Sequence, residues 1–94
     1  MSYISNRIYK YIEQPRSVQT ILILYSNPSA PLDQLLNLIG GSKSTGMKRI
    51  KELGQIGLLI KEAPLNEPKR IFYRLNSRGE EIAQILKKLG EEYK

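Results

Sequence analysis

Residues 32–53, LDQLLNLIGGSKSTGMKRIKEL, decide the fold of this 94-residue chain. Apolar residues first recur at the spacing of one helical face: Leu32, Leu35, Leu36 and Ile39. Gly40 and Gly41 then allow the backbone to reverse, because glycine adopts positive φ angles without steric cost. Ser42 is suited to cap a second helix running from Lys43 to about Ile56. The stretch therefore predicts two helices joined by a tight turn.

The second of these helices is predicted to have an apolar face and a basic, hydroxyl-rich face. Met47, Ile50 and Leu53 are expected to point inward. The expected outer face consists of polar side chains: Ser44, Thr45, Lys48, Arg49 and Glu52. Such a pair forms a helix-turn-helix, whose second helix fits the DNA major groove, about 12 Å wide. An ordinary helical hairpin with a solvated polar face is the alternative.

Upstream of this pair, two more helices are predicted. The first is amphipathic, spans residues 3–14 and ends at Pro15. The second is capped by Ser17, is apolar nearly all round, and is therefore expected at the centre of the core. A short extended piece, residues 29–31, then leads into the helix-turn-helix.

Downstream, the sequence predicts a hairpin and a last helix. Residues 58–63 and 71–75 are expected to be strands separated by a turn over residues 64–68. The last helix is expected to begin with a capping box in which Ser77 and Glu80 satisfy each other's backbone amides. Its apolar stripe is formed by Ile82, Ile85, Leu86 and Leu89. The chain is thus predicted to be mainly α with a small β-hairpin.

The stretches GSKSTGMKRIKELGQIGLLIKEAP (41–64) and KRIFYRLNSRGEEIAQIL (69–86) resemble winged-helix transcriptional regulators of the MarR, ArsR and PadR kind. The resemblance covers about residues 17–88. It implies a single winged helix-turn-helix domain over residues 1–94, with residues 1–14 as an N-terminal helix outside the winged-helix core.

The resemblance also implies which residues contact DNA. Four residues of the second helix would lie in the groove: Ser44, Thr45, Lys48 and Arg49. Lys69 and Arg70 would lie on the wing, against phosphate or the minor groove. Ser42 and Lys43, at the start of the same helix, complete the predicted DNA-binding set.

The distribution of charge supports a polyanionic partner. The net charge is +6, and residues 42–78 hold nine basic and three acidic side chains, so this segment carries the whole excess. A concentrated positive region most often indicates nucleic acid. Double-stranded DNA is the expected partner. A winged helix used for protein interaction or RNA binding, or a chromatin protein without sequence preference, remains the alternative.

Enzymatic and metal-binding functions are disfavoured by composition. The chain has no Cys and no His, which removes the usual catalytic nucleophile–base pairs and transition-metal ligands. A phosphate-binding loop ending at Lys43 would need glycine where Asn37 and Ser42 stand. We expect a protein that is not an enzyme and needs no cofactor. No export signal precedes the first helix, and the longest apolar run, Ile21–Tyr25, is too short to cross a bilayer, so a cytoplasmic, nucleoid-associated protein is expected.

Apolar stripes on the two terminal helices predict a homodimer. The predicted interface residues are Ile4, Ile8, Tyr11, Ile12, Ile85 and Leu89. A winged-helix core does not strictly need the N-terminal stripe. Additional core packing is the alternative explanation for it.

Overall fold

The computed structural model describes residues 3–66 and 70–92, and the side chains of residues 6–66 and 70–91. Its elements in chain order are α1 (Tyr3–Ile12), α2 (Ser17–Ser26), β1 (Ala30–Pro31), α3 (Leu32–Ile39), α4 (Lys43–Gln55), β2 (Leu59–Glu62), β3 (Phe72–Leu75) and α5 (Ser77–Glu92). The predicted order of helices and strands is confirmed, with β1 as one addition.

The three strands form a small antiparallel sheet in the order β1-β3-β2. The hairpin pairs Leu59 with Leu75, and the extended piece before α3 pairs Ala30 with Tyr73. The amide of Leu32 continues this pairing by donating to the carbonyl of Ile71 at 3.1 Å. The first turn of α3 is therefore tied to the sheet, which fixes the helix-turn-helix relative to the wing.

The core is built mainly from branched aliphatic side chains, and α2 lies at its centre. Ile21 and Leu24 of α2 are almost completely buried, as are Leu35, Ile50 and Leu53. α2 packs against α3, α4, α5 and β3, which confirms the central position predicted from its apolar sequence. No helix within residues 3–66 and 70–92 is long and apolar enough to span a bilayer.

Two predicted helix caps are wrong by one residue. Asn76, rather than Ser77, caps α5: its Oδ1 accepts a hydrogen bond from the Gly79 amide at 2.9 Å. Ser17 does not cap α2 but is its first residue and is fully buried, with its Oγ 2.7 Å from the carbonyl oxygen of Ile12. Ser17 instead ties the end of α1 to the start of α2.

Candidate nucleic-acid interface

The start of α4 has the predicted geometry. Ser42 is the N-cap, and its Oγ accepts a hydrogen bond from the Thr45 amide at 3.2 Å. The same hydroxyl donates to the Thr45 Oγ1 at 2.9 Å, and Thr45 is half-buried. Ser42, Lys43 and Ser44 are exposed. The amino end of the helix, with its partial positive charge, therefore opens to solvent between polar side chains.

The rotation of α4 differs from the prediction at two residues. Arg49, predicted on the outer face, is only 4% exposed, and its Nε lies 3.3 Å from a carboxylate oxygen of Glu52. Met47, predicted in the core, is 40% exposed. The prediction that Arg49 reaches the groove is wrong in geometric terms, because its guanidinium is held inside the protein.

Gly46 explains this rotation. It is buried at the contact between α3 and α4, and a Cβ at this position would lie 2.8 Å from the Cδ2 of Leu36. The absence of a side chain lets the two helices approach closely, so the Gly46 side of α4 turns toward α3. Because side chains three residues apart share a helix face, Arg49 then turns inward as well.

The resulting outer face of α4 is an exposed strip that is mainly polar and basic. Its exposed residues are Ser44, Met47, Lys48, Lys51 and Gln55. The sequence interpretation included Ser44 and Lys48 but not Lys51. The spacing of Lys51, seven residues after Ser44 and three after Lys48, is the signal that could have identified it. We call these five residues the α4 outer face.

The turn between α3 and α4 is held by a residue that the sequence interpretation did not single out. Gly40 and Gly41 have φ angles of +74° and +69°, as predicted for the reversal. Arg16, just before α2, donates from Nη1 to the carbonyl of Ile39 at 2.8 Å. A Cβ on Gly41 would lie 2.8 Å from the Nε of Arg16, so the guanidinium lies directly against the turn. Arg16 thereby satisfies a free carbonyl at the end of α3.

The hairpin carries further basic side chains, of which Lys61 lies beside α4. Lys61 is exposed on β2, and Arg74 of β3 pairs with Glu62, with Nε and Oε1 2.9 Å apart. Arg70 lies over the ring of Phe72, 5.4 Å from its centroid. Lys69, the other residue predicted on the wing, lies outside the described residues.

A buried polar cluster joins α1 to α4. Tyr11 of α1 is 4% exposed, and burial raises the pKa of its phenol above its ordinary value, with the charge of Arg49 partly opposing this rise. Nearby, Arg7 donates to the carbonyl of Gln55 at 3.2 Å, at the end of α4. Tyr11 therefore belongs to the core, and its assignment to a dimer interface is wrong.

The other predicted interface residues divide between the two terminal helices. Ile85 and Leu89 of α5 are 60% and 48% exposed, whereas Ile8 and Ile12 of α1 are half-buried. The side chain of Ile4 lies outside the described set. An apolar strip thus remains uncovered on α5, and α1 shows part of a second one.

Solved structures share this arrangement of elements. The S. aureus MepR–DNA complex matches with a TM-score of 0.76 and 11% identity over 95% of this chain. Streptococcus pneumoniae FabT in complex with DNA matches with 0.76 and 14% over 85%, and MarR with 0.75 and 21% over 97%. This chain spans 73%, 56% and 66% of those three proteins, respectively. No curated protein sequence matches it significantly.

The helix-turn-helix, the three-stranded sheet and the hairpin beside α4 define a winged helix-turn-helix protein. The predicted resemblance to winged-helix regulators is thereby confirmed. The family model described as HxlR-like helix-turn-helix matches residues 19–94, and the chain belongs to that family. Family and fold are those of DNA-binding transcription regulators.

Proposed function

We propose that this protein is a sequence-specific transcription regulator that binds double-stranded DNA as a homodimer, with α4 in the major groove. One observation carries the proposal: the α4 outer face is exposed, basic and begins at an open helix end. Ser44, Lys48 and Lys51 follow one another along this face, beginning at the amino end of α4. In a helix-turn-helix, the amino end of the second helix typically contacts the base edges. MepR and FabT, which share the fold, were each solved with DNA.

Phosphate contacts supply the remaining affinity. Ser42, Lys43 and the first free amides of α4 face solvent where a helix N-terminus attracts anions. Lys61, which lies beside α4, and the predicted wing residues Lys69 and Arg70 add further positive charge for phosphate contacts. These contacts fix the position of the protein on the duplex, and the α4 outer face selects the sequence.

The homodimer forms through the terminal helices. The exposed Ile85 and Leu89 of α5 offer an apolar strip to a partner, and the half-buried Ile8 and Ile12 of α1 offer further apolar surface. A two-fold dimer presents two α4 helices to half-sites about 34–36 Å apart, so the binding site is roughly palindromic. In this proposal residues 1–94 act as one domain, and the protein works in the cytoplasm at the nucleoid.

Selection of bound sequences from random duplexes tests the DNA proposal. The expected result is a recurrent, roughly palindromic motif bound in a salt-sensitive manner. Lys48→Ala and Lys51→Ala are expected to weaken binding to that motif, whereas Lys87→Ala, which removes the same charge from exposed α5, serves as the matched control. Equal competition by unrelated DNA would indicate a chromatin protein, and preference for RNA would contradict the proposal.

Sedimentation tests the dimer. Ile85→Asp places a charge in the exposed α5 strip. It is expected to yield a folded monomer, because the Ile85 side chain is mostly exposed and packs little against the core of the monomer. Leu65→Asp introduces the same charge at the fully exposed hairpin tip and is expected to leave the dimer intact. A wild-type protein that is monomeric at high concentration would contradict this part of the proposal.

A further inference from the structure

Met47 is the apolar member of the α4 outer face. It is 40% exposed and lies between Ser44, one turn earlier, and Lys51, one turn later. It also lines a hollow of about 380 Å³ between α4 and the hairpin, together with Ile50 and Tyr73. An unbranched, flexible side chain beside such a hollow has room to adjust to a surface placed against α4.

The exposed part of Met47 is not needed to bury α4 against the rest of the monomer. Gly46 has turned toward α3, and Ile50 and Leu53 supply the buried face of α4. Met47 therefore points to the surface that the proposed function places against DNA. Burying this hydrophobic side chain against DNA is most favourable where the DNA offers an apolar group.

Base edges in the major groove offer few apolar groups. Donors and acceptors occupy most positions, and the C5-methyl group of thymine is the apolar exception in unmodified DNA. Lys48, beside Met47, is suited to the acceptor atoms of guanine, which a methionine cannot recognise. The two neighbours thus have complementary chemistry for adjacent base pairs.

We propose that Met47 is a specificity-determining residue that reads the 5-methyl group of a thymine in the major groove. The inference rests on the proposed function, since it requires α4 to lie in the groove. Burying one methyl group is worth about a fourfold change in Kd at each contacted position. Lys48 and Lys51 hold the helix against the duplex, and Met47 then discriminates thymine from bases that lack the methyl group.

Replacement of thymine by uracil tests this directly, because it removes the methyl group and keeps every hydrogen-bonding atom. Duplexes of the selected motif are prepared with one thymine at a time replaced by uracil in one half-site, and Kd is measured by fluorescence anisotropy. Wild type is compared with Met47→Ala. Leu38→Ala is the matched control, because Leu38 on α3 is exposed to a similar extent, 44%.

The expected result is one thymine whose replacement weakens binding of wild type and Leu38→Ala about fourfold but leaves Met47→Ala unchanged. Thermal unfolding verifies that all three proteins are folded. Wild type that binds the motif with no sensitivity to any uracil overturns the inference and leaves the proposed function standing. The same holds if Met47→Ala keeps the full sensitivity. Wild type that binds no duplex overturns both.

Discussion

Arg49→Ala and Lys48→Ala alter neighbouring basic residues of α4 and are expected to affect different properties, stability in the first and DNA affinity in the second. Arg49 is 4% exposed and forms a close ion pair with Glu52, whereas Lys48 is exposed on the α4 outer face. The first substitution is expected to reduce stability without changing the way α4 meets the groove. The second is expected to reduce DNA affinity without changing stability.

The structure gives the size of the loss at Arg49. Truncation removes about two buried methylene groups beyond Cβ, each worth roughly 0.8 kcal/mol. It also leaves the Glu52 carboxylate, whose side chain is 32% exposed, without its partner. The Oε1 of Glu52 that faces Arg49 is itself buried, although the side chain as a whole is partly exposed, so the lost partner adds about 1–2 kcal/mol. The total is about 3 kcal/mol, at the lower end of the 3–5 kcal/mol of a broken buried pair. For a domain of this size that corresponds to a Tm lower by roughly 10–20 °C.

Thermal unfolding followed by circular dichroism, with DNA binding measured where every variant is folded, separates the two effects. Lys48→Ala is expected to keep its Tm within about 2 °C and to lose roughly 1–3 kcal/mol of binding. Arg49→Ala is expected to bind normally once folded, and Arg49→Met, which keeps the apolar stem, is expected to regain part of the stability. An Arg49→Ala protein with unchanged Tm and weakened DNA binding would refute the assignment of Arg49 to the core.

Three smaller perturbations test the packing of α4, the buried phenol and the wing. In Gly54→Ala the added Cβ has no described atom within 4 Å, so this variant is expected to be more stable than wild type by about 0.5–1 kcal/mol. In Gly46→Ala the Cβ meets Leu36, so this variant is expected to be about 1–3 kcal/mol less stable than Gly54→Ala in urea unfolding. Equal stabilities would mean that α3 moves away from the added Cβ at no cost. Burial raises the pKa of Tyr11, so the stability that the neutral phenol contributes is complete below its ordinary pKa near 10 and is lost as the pH rises above that value. Above about pH 10, Tyr11→Phe is expected to lose stability less steeply than wild type. Parallel curves of stability against pH would contradict this. Arg70→Ala is expected to reduce the slope of log K against log salt by about 0.9 for each phosphate that is no longer neutralised, doubled in a dimer, with site preference unchanged; a changed preference for A·T-rich over G·C-rich flanks would instead place Arg70 in the minor groove.

The order of elements was predictable because its signals are local. Apolar residues at helical spacing identify α3, and the two glycines with Ser42 mark the turn and the start of α4. Each signal depends on a few neighbouring residues. Tertiary contacts were not needed to interpret them.

The rotation of α4 was not predictable from those signals. A charged side chain is expected in solvent, whereas Arg49 is buried beside Glu52, on the side of α4 that turns inward where Gly46 meets α3. Tyr11 similarly belongs to the core because α1 lies against α4, an arrangement that joins residues far apart in sequence. The candidate site therefore keeps Lys48 and excludes Arg49.

The exact N-cap residue of α5 also could not be predicted from the sequence. Asn76 and Ser77 are adjacent residues that can both cap a helix, and the choice of Asn76 depends partly on its second bond, from Nδ2 to the carbonyl of Gly57 at 2.7 Å. Helix boundaries shift by about this much whenever two suitable residues adjoin. The shift did not affect the placement of α4.

The packing of Arg16 against the α3–α4 turn makes positions 16 and 41 unequal in what they tolerate. Gly41 has a φ angle of +69°, so another residue there is strained whatever stands at position 16. Loss of Arg16 removes the 2.8 Å donor to the Ile39 carbonyl, which keeps the 3.3 Å donor from Gln19 Nε2. A library randomised at both positions is therefore expected to return mainly glycine at 41 and a wider choice of residues at 16.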